Sequence, residues 1–375
     1  MPSDIAKKHT DLILDGTKIM YHQNRLDKWK RGERFAPITI DMALTRACNY
    51  NCHFCYAMMQ DNDSKRITQQ VLKDFVDDCA EMDVKGISLV SDGESTISPH
   101  YDFMVRYGAE RGISMASGTN GFLLRKPKLE RILPSLTYLR FNFSAGDKDR
   151  YAKIMGTKPA NYDQVCSNVR DAMTIKRDLG LDVTIGLQMV LMPQDADQIV
   201  PMAKLGKELG VDYTIIKHCS DDEHGTLGVD YSGYEKLYPL LREAESYSSG
   251  HYKVYVKWSK IGDKGKRSYS RCYGTPFLMQ LSGSGLVAPC GMLFNERYKK
   301  YHIGNIAEKR FKEIVFSDRY WEVINELASP RFDAKTMCGS LCLQHKVNQY
   351  LDEYKKGNND MIMPTGDRPE HINFI

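Results

Sequence analysis

The sequence predicts an α/β fold in which six strand–helix units build a parallel sheet, followed by a smaller cysteine-bearing region. From Ile38 onward, short apolar or β-branched runs alternate with longer amphipathic segments, the order expected of βα units around a parallel sheet. Gly86, Gly112, Gly180 and Gly210 punctuate that alternation where left-handed helix caps are expected. Seven of the ten cysteines form two groups: Cys48, Cys52 and Cys55 near the front, and Cys272, Cys290, Cys338 and Cys342 near the end.

Length and composition set the outer limits. A chain of 375 residues has room for one barrel-sized domain and a smaller one. Its 42% hydrophobic and 27% charged content is that of a soluble globular enzyme, and no apolar stretch is long enough to span a bilayer. The expected compartment is therefore cytoplasmic, where thiols stay reduced and a disulfide framework is not expected. A formal charge of +4 is too small to imply nucleic-acid binding. Neither nucleic acid nor membrane is an expected partner.

Residues 1–36 are polar and basic, with Lys28, Lys30, Arg31 and Arg34 around Trp29, and read as a short helical or irregular lead-in too brief for a leader-binding domain. The strands are placed at 38–45, 86–91, 113–118, 137–144, 182–191 and 213–218. The helices are placed at 67–82, 99–111, 127–133, 161–179, 195–209 and 232–247. Six units are too few to close an eight-stranded barrel. Beyond them, Val254-Tyr255-Val256 is strand-like and the basic run Lys257, Lys260, Lys264, Lys266, Arg267 and Arg271 reads as a solvated loop. If it covered the barrel mouth, it would favour an anionic substrate. A hairpin is expected around Ser282-Gly283-Ser284-Gly285, then a helix over 307–327 and another over 350–356. The tail from Pro369 to Ile375 is apolar enough that it is expected to dock.

The chemistry is concentrated after the first strand, in Cys48-Asn49-Tyr50-Asn51-Cys52-His53-Phe54-Cys55. Three thiolates on one short loop can hold three irons of a 4Fe–4S cube and leave the fourth iron open to chelate a small molecule. A structural zinc site wants four ligands, and only His53 stands near these three cysteines. The CxxxCxxC spacing with an aromatic residue before the third cysteine resembles the signature of the radical S-adenosylmethionine (radical SAM) enzymes. That resemblance implies a partial (β/α)6 TIM-like barrel over residues 37–250, with a 4Fe–4S cluster on Cys48, Cys52 and Cys55.

Ligands of parallel βα folds bind at the carboxyl ends of the strands. The second strand ends in Ser91-Asp92-Gly93-Glu94-Ser95, similar to the family's Gly-Gly-Glu-Pro stretch. Gly93 and Glu94 match it, whereas Asp92 and Ser95 replace the first Gly and the Pro. The resemblance implies that Glu94 accepts from the methionine amino group of S-adenosylmethionine, and that Phe54, Tyr56, Gly93, Thr119, Asn142, Ser144 and Gln188 complete the cofactor site. Each strand-end residue is also an ordinary turn or core residue. The sixth strand ends in Lys217-His218-Cys219, where a thiol is placed to return a hydrogen atom and Lys217 or His218 to take a proton. A buried free cysteine with solvated neighbours is the plainer reading. Cys79 and Cys166 read as small core hydrophobes.

The second group, spaced by the hairpin and the His302-Ile303-Gly304-Asn305-Ile306 run, resembles the auxiliary-cluster extension called SPASM or Twitch. Residues 251–350 are assigned to this domain and 351–375 to a C-terminal tail. Cys272, Cys290, Cys338 and Cys342 suffice for one fully ligated 4Fe–4S cluster, so two clusters are expected in all. A zinc site on the same thiolates is the competing reading.

The resemblance implies a radical SAM oxidoreductase. An electron from flavodoxin or ferredoxin leads to a 5'-deoxyadenosyl radical, which takes a hydrogen atom from a small polar sugar-, cyclitol- or nucleotide-linked substrate, and the auxiliary cluster accepts an electron. A maturase of a ribosomally made peptide and a non-catalytic iron–sulfur sensor are the alternatives.

Overall fold

The computed structural model describes residues 16–62, 65–340, 342–358, 360–362 and 368–375. Residues 1–15 of the predicted lead-in lie outside the described residues. Ten strands join in one sheet: β1 (Thr39–Met42), β2 (Gly86–Leu89), β3 (Ser114–Thr119), β4 (Tyr138–Asn142), β5 (Thr184–Leu191), β6 (Tyr213–His218), β7 (Lys253–Val256), β8 (Leu278–Leu281), β9 (Leu286–Ala288) and β10 (Gly304–Asn305). Their order is β10-β9-β8-β1-β2-β3-β4-β5-β6-β7, parallel from β8 to β7, with β9 and β10 antiparallel. The α-helices among the described residues are α1 (Gln23–Lys30), α2 (Gln69–Glu81), α3 (Tyr101–Glu110), α4 (Lys126–Ile132), α5 (Lys148–Ile154), α6 (Pro159–Asp178), α7 (Ile199–Leu209), α8 (Tyr238–Ser246), α9 (Trp258–Gly262), α10 (Phe311–Phe316), α11 (Asp318–Leu327) and α12 (His345–Lys355).

The six predicted units are present, and β7 and β8 flank them as two further parallel strands. This is a mixed α/β partial barrel: β8 pairs with β1, while β7 and β8 stand at opposite ends of the parallel run. Side chains alternate across each strand. Ile40, Ile87, Leu139, Leu187 and Ile216 join the apolar layer with residues such as Leu72, Phe75, Leu129 and Met202 of the helices. Thr39, Asp41, Tyr138, Arg140, Tyr213 and Ile215 point the other way and line the lumen.

Gly112, Gly180 and Gly210 take φ of 79°, 60° and 70° as helix ends require. Gly86 does not cap a helix: it opens β2, and the left-handed residue after α2 is Asp83 at φ 61°. Glycine is needed there for contact, since a Cβ at Gly86 would stand 2.7 Å from the Asn373 carbonyl oxygen. The single helix expected over 307–327 is two. Ser317 ends α10 and caps α11 by accepting the Tyr320 N–H at 3.2 Å.

The basic run after β7 is also not a solvated loop. Lys260 and Arg267 are buried, and both donate to backbone carbonyls of the second cysteine region: Lys260 to Cys342 at 2.6 Å, Arg267 to Ala334 and Ser340. Two charges that read as a surface patch in sequence are thus satisfied inside, while Lys264 and Lys266 of the same run are exposed. The second region also grips the barrel from outside, where the buried Asp78 carboxylate of α2 takes Arg310 at 2.5 and 3.1 Å and Phe311 packs on Phe75 at 4.9 Å.

The tail docks across the amino-terminal ends of the strands. Thr39 Oγ1 donates to the Asn373 carbonyl at 2.7 Å, Asn373 Nδ2 donates to Ser114 Oγ at 2.9 Å, and Phe374 packs on Tyr138. His371 lies 3.0 Å from Thr184 Oγ1, and burial pushes its pKa down to about 4 from the ordinary 6.5. An undocked ring therefore binds a proton more readily than the docked one between those values, so docking strengthens as pH rises there. The tail's hold should be complete above pH 6.5 and weaken by about 3 kcal/mol as pH falls toward 4, with the nearby Lys18 charge adding to the effect of burial. Amide exchange of residues 370–375, corrected for intrinsic rate, should rise between pH 7 and pH 5 and lose that dependence in His371→Gln. Equal protection at both pH values would exclude this account.

Candidate cofactor and cluster sites

The cysteine loop leaves β1 and is held from several sides. Arg46 donates from Nη1 to the Asn62 carbonyl at 2.6 Å and from Nη2 to that of Gln60, closing the loop on itself. The Asn51 and His53 N–H groups donate to Gly156 and Ile154 carbonyls, and Glu94 N–H donates to Ala47 at 3.0 Å. Close packing also constrains the path. A Cβ at Gly93 would fall 1.9 Å from the Thr45 oxygen, one at Gly283 2.1 Å from the Thr45 carbonyl carbon, and one at Gly156 1.9 Å from the Asn51 oxygen. Gly93 thus has a packing reason to be glycine beside the role its family likeness implies.

Cys48 is exposed, and Cys52 and Cys55 are half-buried; burial holds the Cys52 and Cys55 thiols above their ordinary pKa, with repulsion from the neighbouring thiols adding to it at Cys52. The donor set fits a cluster with one open iron. His53, the only nearby alternative ligand in the sequence, is bonded at 2.8 Å to the buried Asp195.

Glu94 is 5% exposed and accepts four hydrogen bonds. Thr96 N–H, Thr96 Oγ1 and Thr119 Oγ1 donate to one oxygen at 3.1, 2.6 and 2.8 Å, and Asn120 N–H donates to the other at 2.7 Å. The second oxygen keeps capacity for a further donor. Asn120 also donates from Nδ2 to Asn49 at 2.8 Å, joining the end of β3 to the cysteine loop. Asn49 lies outside the residues expected from sequence to form the site, and Asn120 reads there equally as a strand-end ligand or a turn residue.

The two departures from the family pattern acquire definite partners. Asp92 is buried and accepts from Ser282 Oγ at 2.5 Å and Gly283 N–H at 2.8 Å, with Arg46 at 3.7 Å. Asn62 accepts from Ser282 and Ser284 of the same hairpin at 3.3 and 2.7 Å. Ser95 Oγ accepts the Leu44 N–H at 3.2 Å.

Of the other strand-end candidates, Gln188 donates to Asn142 at 2.9 Å in register across β4 and β5, and the fully buried Ser144 accepts from the Val190 N–H at 3.2 Å. Phe54 and Tyr56 flank Cys55, and Tyr56 packs against the second cysteine region. Lys217, His218 and Cys219 do not converge. Lys217 shares the lumen-facing side of β6 with Tyr213 and Ile215, and burial with neighbouring Arg140 and Lys260 pushes its pKa down to about 7. His218 is 2% exposed, lies 6.1 Å from the Tyr231 ring, and has neither ring nitrogen paired among the described residues. Cys219 donates its S–H toward the Phe54 carbonyl at 3.5 Å, and burial pushes its pKa up to about 12, keeping the thiol protonated.

Cys272, Cys290, Cys338 and Cys342 line one cavity with Arg267, Thr275, Leu327 and Asn348. Asn348 donates to Cys272 Sγ at 3.3 Å, and the buried Gln344 stands 3.5 Å from the same sulfur while donating to Pro289. The Thr275 hydroxyl is buried with no partner among the described residues. Four thiols, N–H donors and an otherwise apolar wall suit a thiolate-ligated cluster. The glycine wedge under the first cysteine loop gives a direct test. Gly93→Ala should lower thermal stability by roughly 1–3 kcal/mol and reduce iron bound at the first cluster. Wild-type melting with full iron loading would show that the loop tolerates the extra carbon.

Comparison with known proteins agrees with this arrangement. Residues 42–206 match the model of the radical SAM superfamily, and residues 272–342 match that of an iron–sulfur cluster-binding domain, SPASM. The chain is 24% identical to the AdoMet-dependent heme synthase of Methanosarcina barkeri over 83% of its own length and 90% of that protein's. It is 22% identical to the tungsten-containing aldehyde ferredoxin oxidoreductase cofactor-modifying protein of Pyrococcus furiosus over 74% and 81%. Among solved structures, Streptococcus suis SuiB bound to S-adenosylmethionine superposes with a TM-score of 0.62 at 16% identity, over 81% of this chain and 71% of that one. SuiB with its precursor peptide SuiA gives 0.61 at 16% identity over 82% and 71%, and native anSMEcpe with bound AdoMet gives 0.58 at 14% over 87% and 92%. The chain is a radical SAM protein with a C-terminal SPASM-type domain, and its cofactors are S-adenosylmethionine and iron–sulfur clusters.

Proposed function

We propose that this protein is a radical SAM oxidoreductase that oxidises a small polar substrate held in the barrel lumen. The observation that carries the reading is the cavity shared by Cys272, Cys290, Cys338 and Cys342, which offers a thiol to every iron of a 4Fe–4S cube. When bound, the first cluster and S-adenosylmethionine supply a 5'-deoxyadenosyl radical for hydrogen-atom abstraction, and the second cluster supplies an acceptor for the electron released on oxidation. Flavodoxin or ferredoxin provides the initiating electron.

The chain's own residues do the rest. Cys48, Cys52 and Cys55 hold the first cluster, while Glu94 orients the cofactor amine with the oxygen that retains accepting capacity. Phe54, Tyr56, Gly93, Thr119, Asn142, Ser144 and Gln188 border the cofactor at the strand ends. Lys217, part of whose population is free amine near neutral pH, takes the proton that leaves the substrate radical. Cys219, whose thiol is held protonated beside the loop, would return a hydrogen atom only in a redox-neutral reaction and has no step in the oxidation. The docked tail closes one end of the lumen against water, which a substrate radical requires.

A peptide substrate is the second reading. It is favoured by the fold likeness to SuiB, solved with the peptide SuiA. Incubation with candidate precursor peptides and mass measurement separates the two, since only the peptide reading predicts a mass change in them.

Two outcomes test the proposal. Alanine at Cys48, Cys52 and Cys55 together should abolish 5'-deoxyadenosine formation in dithionite-reduced protein and leave about four irons of about eight after anaerobic reconstitution. Continued deoxyadenosine formation would remove the first cluster from the chemistry, and zinc in place of the remaining iron would make the second region structural. With reductant for one turnover only, a dehydrogenase that recovers its electron should continue past one equivalent, consuming one S-adenosylmethionine per product. A need for fresh reductant at each turnover, with product at the substrate's own oxidation level, would rule out net oxidation.

A further inference from the structure

The lumen contains charges whose balance the proposed radical chemistry leaves unexplained. A cavity of about 150 Å³ is lined by Asp41 of β1, Arg140 of β4, and Lys257 just after β7. Lys217 stands near enough to Arg140 and Asp41 that each influences its ionisation. The side chains of Arg140, Lys217 and Lys257 form no ion pair within 4.0 Å with a described residue, and Arg140 Nε is buried with no acceptor among those residues. The Arg140 guanidinium lies over the Tyr138 ring, 5.7 Å from its centre. Space for it is made by Gly118, where a Cβ would stand 3.3 Å from Nη2.

Three basic side chains thus face one carboxylate. Burial raises Asp41 to about 7, so that carboxylate is itself only partly ionised near neutral pH. The same burial and the neighbouring cations depress Lys257, as expected when like charges are enclosed together. Such a group is costly to bury unless something of opposite charge completes it. Lys18, Lys260 and Lys346 line the same cavity, together with the C-terminal residue Ile375. The neighbouring His218 is buried with both nitrogens unpaired, and it too is influenced by Lys217 and Lys257.

We propose that Arg140 and Lys257 bind an oxyanion, a carboxylate or phosphate, of the substrate inside the lumen. This deepens the proposed function by giving the small polar substrate an acidic group, and it rests on that reading for the identity of the ligand as substrate. The planar Arg140 fork suits two oxygens of such a group, and the Lys257 ammonium supplies a point charge opposite it. Anchoring by charge at the lumen wall fixes the rest of the molecule relative to the strand ends, where the cysteine loop lies.

Isothermal titration of the full-length, anaerobically reconstituted protein tests this without turnover. Inorganic phosphate and citrate are the probes, with ionic strength held constant by chloride. At least one should bind saturably, the stronger of the two indicating a phosphorylated or a carboxylate-bearing substrate. Arg140→Gln and Lys257→Met should each weaken that binding about tenfold or more. Lys257→Arg should restore most of it, and Lys266→Met on the exposed surface should leave it unchanged. Circular dichroism and iron content establish that each variant is folded. No saturable binding of either probe to wild type, or equal binding to the two lumen variants, would overturn the proposal even if deoxyadenosine is still formed. Loss of deoxyadenosine formation with the anion response intact would instead count against the radical chemistry alone.

Discussion

The position of the first cysteine loop depends on a backbone pinch at Thr45. Two glycines from distant parts of the chain, Gly93 after β2 and Gly283 in the β8–β9 turn, approach the Thr45 carbonyl so closely that neither has space for a methyl group. The contact is reinforced by charge. Asp92 accepts from Ser282 and from the Gly283 N–H, so the residue preceding one glycine grips the turn containing the other. A buried carboxylate without such donors would be strongly unfavourable. The same interaction therefore fixes the cysteine loop, the end of the second strand and the auxiliary hairpin as one unit.

From that unit the second region wraps the barrel by extending its sheet. β8 adds to β1 in parallel, and β9 and β10 continue outward, so the cysteine that follows β9 is carried on the same hydrogen-bonded framework as the first three. The other side of the four-thiol cavity is held by buried cations. Lys260 and Arg267 end on backbone carbonyls at Cys342, Ala334 and Ser340, groups that would otherwise be enclosed without donors. Charge used in this way organises a cluster pocket, whereas Arg140 and Lys257 in the lumen lack equivalent acceptors among the described residues.

Much of this was legible in the residues. Cysteine spacing identified both cluster groups because ligands on one loop must be close whatever the surrounding fold. The βα alternation located the six strands to within a few residues, since burial on both faces of a parallel sheet leaves continuous apolar runs. Two errors have a common cause. Gly86 reads as a helix cap and is glycine for contact with Asn373, and the run from Lys257 to Arg271 reads as solvated while Lys260 and Arg267 are buried. Both depend on partners far away in the chain, which local pattern does not report.

The sequence by itself determined the order of strands and helices, the two thiol groups and the departure of Asp92 and Ser95 from the family motif, because these follow from periodicity, ligand type and local comparison. Only the tertiary structure decided what those residues do together. It turned His53 toward Asp195, split Lys217, His218 and Cys219 among three surroundings, and gave Asp92 a hairpin to hold. It also enclosed Arg140, Lys217 and Lys257 around Asp41. The physical reason is that ionisation, satisfaction of buried polar groups and steric exclusion depend on separations in space between residues up to two hundred or more positions apart.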